Sequence, residues 1–114
     1  MKMTTIRLKP LSVNDSYQGR RFSTPELKDF KDICRMLLPK DLKVPEGKLE
    51  IYYQFGFSSK MSDWDNPIKA FQDVLAEFYG FNDNIVYRGI GEKIDVEKGK
   101  EFIKFKIKSY GKKN

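Results

Sequence analysis

The sequence predicts a single small α+β domain over residues 1–114, in which two main helices pack on a mixed or antiparallel sheet of about four strands. Three observations predict this fold. A length of 114 residues suits one domain. Two stretches carry apolar side chains at the spacing of an amphipathic helix. Four others are strand-like, with apolar and polar side chains in alternation.

The N-terminal part is predicted to form a strand followed by a long loop. Apolar and polar side chains alternate over residues 4–9, and Pro10 ends the pattern. Residues 11–22 combine turn formers with an aromatic ring and two neighbouring cations, and a solvated loop explains them as well as a nucleic-acid contact does. The candidate DNA contacts in this loop are Asn14, Tyr17, Arg20 and Arg21.

The first helix is predicted to begin at Ser23 or Thr24 and to run to about Leu38. Ser23 forms a capping box with Glu26, and Thr24 followed by proline is the alternative start. The apolar stripe of this helix consists of Leu27, Phe30, Cys34, Leu37 and Leu38. Cys34 is therefore expected in the core, since a chain without histidine offers its thiol no histidine base.

The clearest strand covers residues 48–57. Its apolar face consists of Leu49, Ile51, Tyr53, Phe55 and Phe57. An aromatic stripe could stack nucleic-acid bases, but strict alternation favours the core of a sheet. Lys60, which follows the strand, is a candidate DNA contact.

The second helix is predicted over residues 67–79, with Pro67 at its first position and Gly80 as its C-terminal stop. Lys69 and Asp73 lie four residues apart and share a polar face. The apolar stripe consists of Ile68, Phe71, Leu75, Phe78 and Tyr79.

The C-terminal part is predicted to form a hairpin with a basic outer face. Residues 85–96 are strand-like, but Gly89 and Gly91 predict a bulge or a close approach by something outside the sheet. Residues 97–100 form the turn into the strand at 101–108. The outward side chains of this last strand are Lys104, Lys106 and Lys108. This row either contacts DNA or protects an edge strand.

Composition restricts the chemistry. A formal net charge of +6 fits a polyanionic partner such as DNA, and solubility explains it equally well. With no histidine and one cysteine, a zinc site, an internal disulfide and a histidine base are excluded, so any intrinsic metal is a hard cation held by oxygen. No apolar run could span a membrane and no export signal is evident, so we expect a cytoplasmic protein.

Two carboxylates lie at the mouth of the second helix. Asp63 and Asp65, two residues apart in an extended segment, point the same way and can share a hard cation. The helix N-terminus attracts phosphate, and Lys69 one turn inside can meet a phosphoryl oxygen. These residues predict a site for phosphodiester hydrolysis. The simpler interpretation is that the aspartates cap the helix and Lys69 only pairs with Asp73.

The motif Asp63-x-Asp65-Asn66-x-x-Lys69-Ala70-x-x-Asp73-x-Leu75, followed by Asn82-Asp83, resembles the RusA family of Holliday-junction resolvases. Ser12-x-Asn14-Asp15-x-Tyr17 with Arg20 and the basic C-terminal segment extend the resemblance over nearly the whole chain. It implies a RusA-like fold, Mg²⁺ or Mn²⁺ as cofactor, and a homodimer that cuts four-way DNA junctions by paired nicks. It also implies a phage or prophage origin in a bacterial cell.

The resemblance also assigns residues. The implied metal ligands are Asp63, Asp65 and Asp83. Lys69 matches the catalytic lysine, and Asp73 matches an acidic position of the family. The chain departs from the family pattern at Asn82, where many relatives carry aspartate, and at Asp15, where a second amide would fit better.

The length of the second helix predicts an assembly. Residues 67–79 span about 20 Å, which would place Asp83 at the opposite end from Asp63 and Asp65. Two chains with these helices antiparallel would bring Asp83 of one chain to the other pair. We therefore expect a homodimer with composite active sites, whose interface partly buries Ile68, Phe71, Leu75 and Phe78.

Three functions fit the sequence. The first is an endonuclease that resolves branched DNA. The second is a basic module that holds junctions or single-stranded DNA without cutting, and the third is a protein adaptor that uses the aromatic strand. Asp65→Asn separates the first two, because loss of a metal ligand abolishes cleavage while sparing or tightening binding.

Overall fold

The computed structural model describes residues 3–11, 25–61 and 67–111, and its core is built around one central strand. This strand, β2, is Leu49–Phe57. Its predicted apolar face is almost fully buried, since alternation turns every second side chain toward the helices. The aromatic stripe is therefore core, as the alternation predicted, and it is not available to stack bases or to bind a protein partner.

Four strands form one mixed sheet in the order β1–β4–β2–β3. β1 is Thr4–Ile6, β3 is Val86–Asp95 and β4 is Phe102–Ser109. β2 pairs in parallel with β3 and antiparallel with β4, and β4 also pairs antiparallel with β1. The predicted α+β class with a four-stranded sheet is confirmed.

The predicted C-terminal hairpin is wrong. β3 and β4 are not neighbours, because β2 lies between them. The turn at residues 97–100 does form, with the Lys100 N–H donating to the Glu97 carbonyl at 2.9 Å, but it leads across the end of β2. β2, the most buried strand, is one of the two inner strands of the sheet, each of which has ladder hydrogen bonds on both sides, and β4 is the other.

Two helices pack against the apolar face of the sheet. α1 is Pro25–Leu37, and α2, Ile68–Tyr79, connects the parallel strands β2 and β3. The predicted caps of α1 at Ser23 or Thr24 lie outside the described residues. α2 ends at Gly80, whose φ of 75° is the left-handed conformation expected of a glycine stop. Within the described ranges, neither helix is long and apolar enough to cross a membrane.

The buried face of each helix differs slightly from the apolar stripe that the sequence predicted. In α1 the predicted stripe is buried except for Leu37, which is 44% exposed. The buried residues of α2 are Ala70, Phe71, Val74, Leu75 and Ala76. The core face of α2 thus includes two alanines, and Ile68, Phe78 and Tyr79 only border the core. Burial raises the pKa of the Cys34 thiol to about 12, which agrees with its predicted place in the core.

The ladder between β2 and β3 is irregular at the start of β3, where Tyr87 is the extra residue. The sequence predicted a bulge at Gly89 or Gly91, but both lie in the regular part of the ladder. A Cβ on Gly89 would lie 3.8 Å from the Tyr53 ring. The side chain nearest to this glycine within the described residues is therefore Tyr53 of β2.

Candidate functional site

A tight turn after α2 returns the chain toward the middle of that helix. The chain reverses at Gly80, and the Asn82 side-chain oxygen accepts the Asn84 N–H at 3.0 Å. This hydrogen bond caps a 3-10 turn over Asp83–Ile85. The amide of Asn82, at the position where the family resemblance leads one to expect aspartate, thus shapes the turn that carries Asp83.

Lys69 and Asp73 lie one turn apart on the same face of α2. Lys69 Nζ is 3.3 Å from Asp73 Oδ1, and the two side chains are 67% and 22% exposed. This confirms the predicted i, i+4 pair. Such a pair contributes only about 0.3–0.5 kcal/mol to stability, so it adds little to the fold. The ammonium group of Lys69 also remains accessible to solvent.

Asp83 lies in the electrostatic field of these two residues. Partial burial raises the pKa of Asp83, and the negative charge of Asp73, whose carboxyl lies within hydrogen-bonding reach, raises that pKa further. The Lys69 ammonium lowers it, and Glu77 adds a smaller upward contribution. We call Asp73 and Asp83 the acid pair. Two carboxylates held this close repel each other, and a nearby cation relieves that repulsion.

Tyr53 connects the sheet core to the acid pair. Its side chain is buried, and its hydroxyl donates to Gln72 Oε1 at 2.6 Å. Burial raises the pKa of Tyr53, and the charges of Asp83 and Asp73 raise it further. Tyr53 therefore stays protonated near neutral pH, so it acts as a hydrogen-bond donor that fixes Gln72 next to Asp73.

An open pocket of about 300 Å³ contains the acid pair. Its lining residues come from both helices and from the segment that follows α2: Lys31, Asp73, Ala76, Glu77, Phe81, Asn82 and Asp83. Two charged lining residues, Lys31 on α1 and Glu77 on α2, were not predicted from the sequence. Lys31 is the basic one. It occupies one of several polar positions on an amphipathic helix, and only the packing of α1 against α2 brings it to the pocket.

The donors of the acid pair suit a hard divalent cation. Magnesium prefers carboxylate oxygens, and Asp73 and Asp83 present them side by side. The described part of the chain contains no group of three Asp, Glu, His or Cys side chains that could hold a metal ion. Asp63 and Asp65, which the resemblance assigns as ligands together with Asp83, lie outside the described residues.

Among the described residues, the candidate DNA contacts Lys60, Lys104 and Lys106 do not line the pocket of the acid pair. Lys104 and Lys106 lie on the sheet face that points away from the helices, because the side chain between them is buried on the opposite face. Lys104 Nζ lies 5.4 Å from the centre of the Phe102 ring, and Lys106 Nζ lies 5.8 Å from that of Tyr52. Lys60 lies exposed in the turn after β2. The candidates outside the described residues are Asn14, Tyr17, Arg20 and Arg21.

The expected placement of Asp83 at the far end of α2 is wrong. The charges of Asp83 and Lys69 interact within one chain because the turn reverses the backbone. Asp63 and Asp65 lie outside the described residues, so the composite sites between two chains stay a prediction.

Phe71 and Leu75, expected to be partly buried between chains, are 0% exposed in a single chain. Phe71 and Leu75 thus pack in the chain's own core and not at an interface between chains, whereas Ile68 and Phe78 only border that core.

Comparison with models of known protein families and with curated proteins finds no match to this chain. Its function must therefore be argued from the chemistry of the acid pair, Lys69 and the pocket around them.

Proposed function

We propose that this chain is a magnesium-dependent, structure-selective endonuclease that resolves Holliday (four-way) DNA junctions, as its resemblance to the RusA family implies. The observation that carries the proposal is the return of Asp83 to Asp73 and Lys69. Ten residues separate Asp83 from Asp73 in the sequence, yet the fold holds both carboxylates beside one lysine. Acidic oxygens for a cation and an ammonium for a phosphate are the groups that phosphodiester hydrolysis requires.

In this proposal each acidic residue and Lys69 has a separate role. Asp83 holds the cation together with Asp63 and Asp65, which precede α2 in the sequence. Magnesium supplies polarisation of the phosphoryl group and acidification of water, and manganese can substitute for it. Lys69 neutralises negative charge on the scissile phosphate, and Asp73 holds the ammonium at 3.3 Å.

The proposed partners are a branched DNA and a second copy of the chain. Paired nicks on a four-way junction require two active sites, and a two-fold dimer provides them. Because Asp83 and Lys69 meet within one chain, we assign each protomer its own acid pair. Light scattering of the protein alone and with a junction tests this. A single chain that made both nicks would exclude the dimer.

Cleavage of a labelled synthetic four-way junction tests the activity, with a duplex of matched sequence as control. We expect symmetric nicks on the junction in magnesium or manganese and none in calcium, with little cutting of the duplex. Uncut junctions in both magnesium and manganese, or equal cutting of junction and duplex, would refute the proposed activity.

A non-catalytic DNA-binding module is the second candidate. The observations that favour it are the formal net charge of +6 and the row of lysines on β4. Asp65→Asn distinguishes the two functions. In the endonuclease it abolishes cleavage and leaves junction binding equal or tighter, whereas a module binds without cutting in either form.

A further inference from the structure

A basic groove beside α1 continues from the pocket of the acid pair. Lys28, Lys31 and Arg35 are spaced at i, i+3 and i+7, so they lie on one side of the helix. With Leu27 and Asp32 they line a groove of about 370 Å³. Lys31 lines both this groove and the pocket of the acid pair. The two cavities therefore meet at Lys31.

The groove keeps an excess of positive charge. Arg35 is held by Asp32 at 2.9 Å and by Glu77 at 3.3 Å, which fixes the guanidinium between the two helices. Among the described residues, no carboxylate lies within ion-pair distance of Lys28 or Lys31. Such a positive groove suits a run of phosphates better than a further metal ion.

Lys31 and Lys69 lie at different positions along the acid pair. Lys31 lines the pocket from α1, whereas Lys69 pairs with Asp73 along α2. The two ammonium groups therefore approach the acid pair from different helices. Successive phosphates of one strand advance about 3.4 Å along a duplex axis, so two lysines on separate helices can bind different phosphates of one strand.

We infer that Lys31 binds a non-scissile phosphate of the DNA strand whose scissile phosphate lies at Lys69, and that the α1 groove carries that strand's backbone away from the acid pair. This inference rests on the proposed endonuclease function and adds the element that grips the substrate. Lys31 is thus a substrate-binding residue outside the chemical step. Its removal weakens DNA binding and leaves the chemical step intact.

The test compares Lys31→Gln and Lys31→Arg with Lys98→Gln. Lys98 is exposed in the turn beyond the far end of β3, and its substitution removes the same charge. Junction binding is measured in calcium between about 50 and 200 mM salt. Loss of one phosphate contact lowers the salt slope by about 0.9, so the affinity ratio of wild type to Lys31→Gln should fall about 3.5-fold over that range. Lys31→Arg should restore wild-type behaviour.

Single-turnover cleavage in magnesium supplies the second readout. At saturating protein, Lys31→Gln should cut within about twofold of the wild-type rate, while the protein concentration for half-maximal rate rises. If the wild type cuts junctions, either of two results would overturn this inference and leave the proposed function standing. The first is an equal salt slope for Lys31→Gln and Lys98→Gln. The second is a lower cleavage rate of Lys31→Gln at saturating protein with unchanged junction binding. A wild type that neither binds nor cuts junctions would overturn the proposed function and this inference together.

Discussion

Tyr53→Phe tests whether the core of the sheet supports the acid pair. The substitution removes a hydroxyl that donates to Gln72 Oε1 at 2.6 Å from a fully buried side chain. A hydrogen bond of this kind contributes about 1 kcal/mol net, and Gln72 is only half-buried, so water can replace part of the loss. We therefore expect a loss of about 1 kcal/mol, which corresponds to a fall in Tm of about 3–6 °C for a domain of this size. Cleavage should also fall, since Gln72 is adjacent to Asp73.

Tyr52→Phe is the matched control on the other face of β2. The Tyr52 hydroxyl donates to Glu92 Oε1 at 3.3 Å in an exposed position, so its loss should change stability by less than about 0.5 kcal/mol. Both variants are compared by thermal unfolding followed by circular dichroism and by junction cleavage. Equal Tm values for the two variants, or full cleavage by Tyr53→Phe at a reduced Tm, would refute the link between the core and the acid pair.

Three further predictions concern other parts of the molecule. Burial raises the pKa of the Cys34 thiol to about 12, so native protein at pH 8 should resist iodoacetamide and urea-unfolded protein should react; rapid native labelling would contradict this. In Gly56→Ala the new Cβ would lie 2.5 Å from the Phe102 ring, so the free energy of unfolding in urea titrations should fall by about 1–3 kcal/mol, with partial recovery when Phe102→Ala is added. Asp83→Asn removes like-charge repulsion, so its Tm should exceed that of the wild type by about 1–2 °C at pH 7, and the gap should narrow as acid protonates Asp83 through its raised pKa. If the Tm difference between Asp83→Asn and wild type were the same at pH 7 and pH 4, like-charge repulsion at Asp83 would not be its cause.

Local patterns predicted the elements of the fold, and non-local packing decided their arrangement. Alternation identified β2, and helical spacing identified α1 and α2, because these signals repeat within a few residues. The order of the strands depends on which strands bury the most apolar surface at the inner positions of the sheet. The turn at 97–100 is compatible both with a hairpin and with a connection across β2, so its sequence cannot distinguish them.

The site was predictable to a similar extent. The Lys69–Asp73 pair follows from i, i+4 spacing on a helix. The approach of Asp83 to Asp73 and Lys69 depends on the reversal at Gly80, which the length of the helix alone does not predict. Lys31 could not be predicted, since its place in the pocket depends on how α1 packs against α2.

The central claim is that Asp83 acts with Asp73 and Lys69 in cutting four-way junctions. The most direct test compares junction cleavage in magnesium by wild type, Asp83→Asn and Asp95→Asn, in which Asp95 is an exposed aspartate at the other end of β3. The proposal predicts paired nicks by wild type and Asp95→Asn, and a loss of at least about a hundredfold in Asp83→Asn with junction binding retained. Wild-type cleavage rates in Asp83→Asn would contradict it.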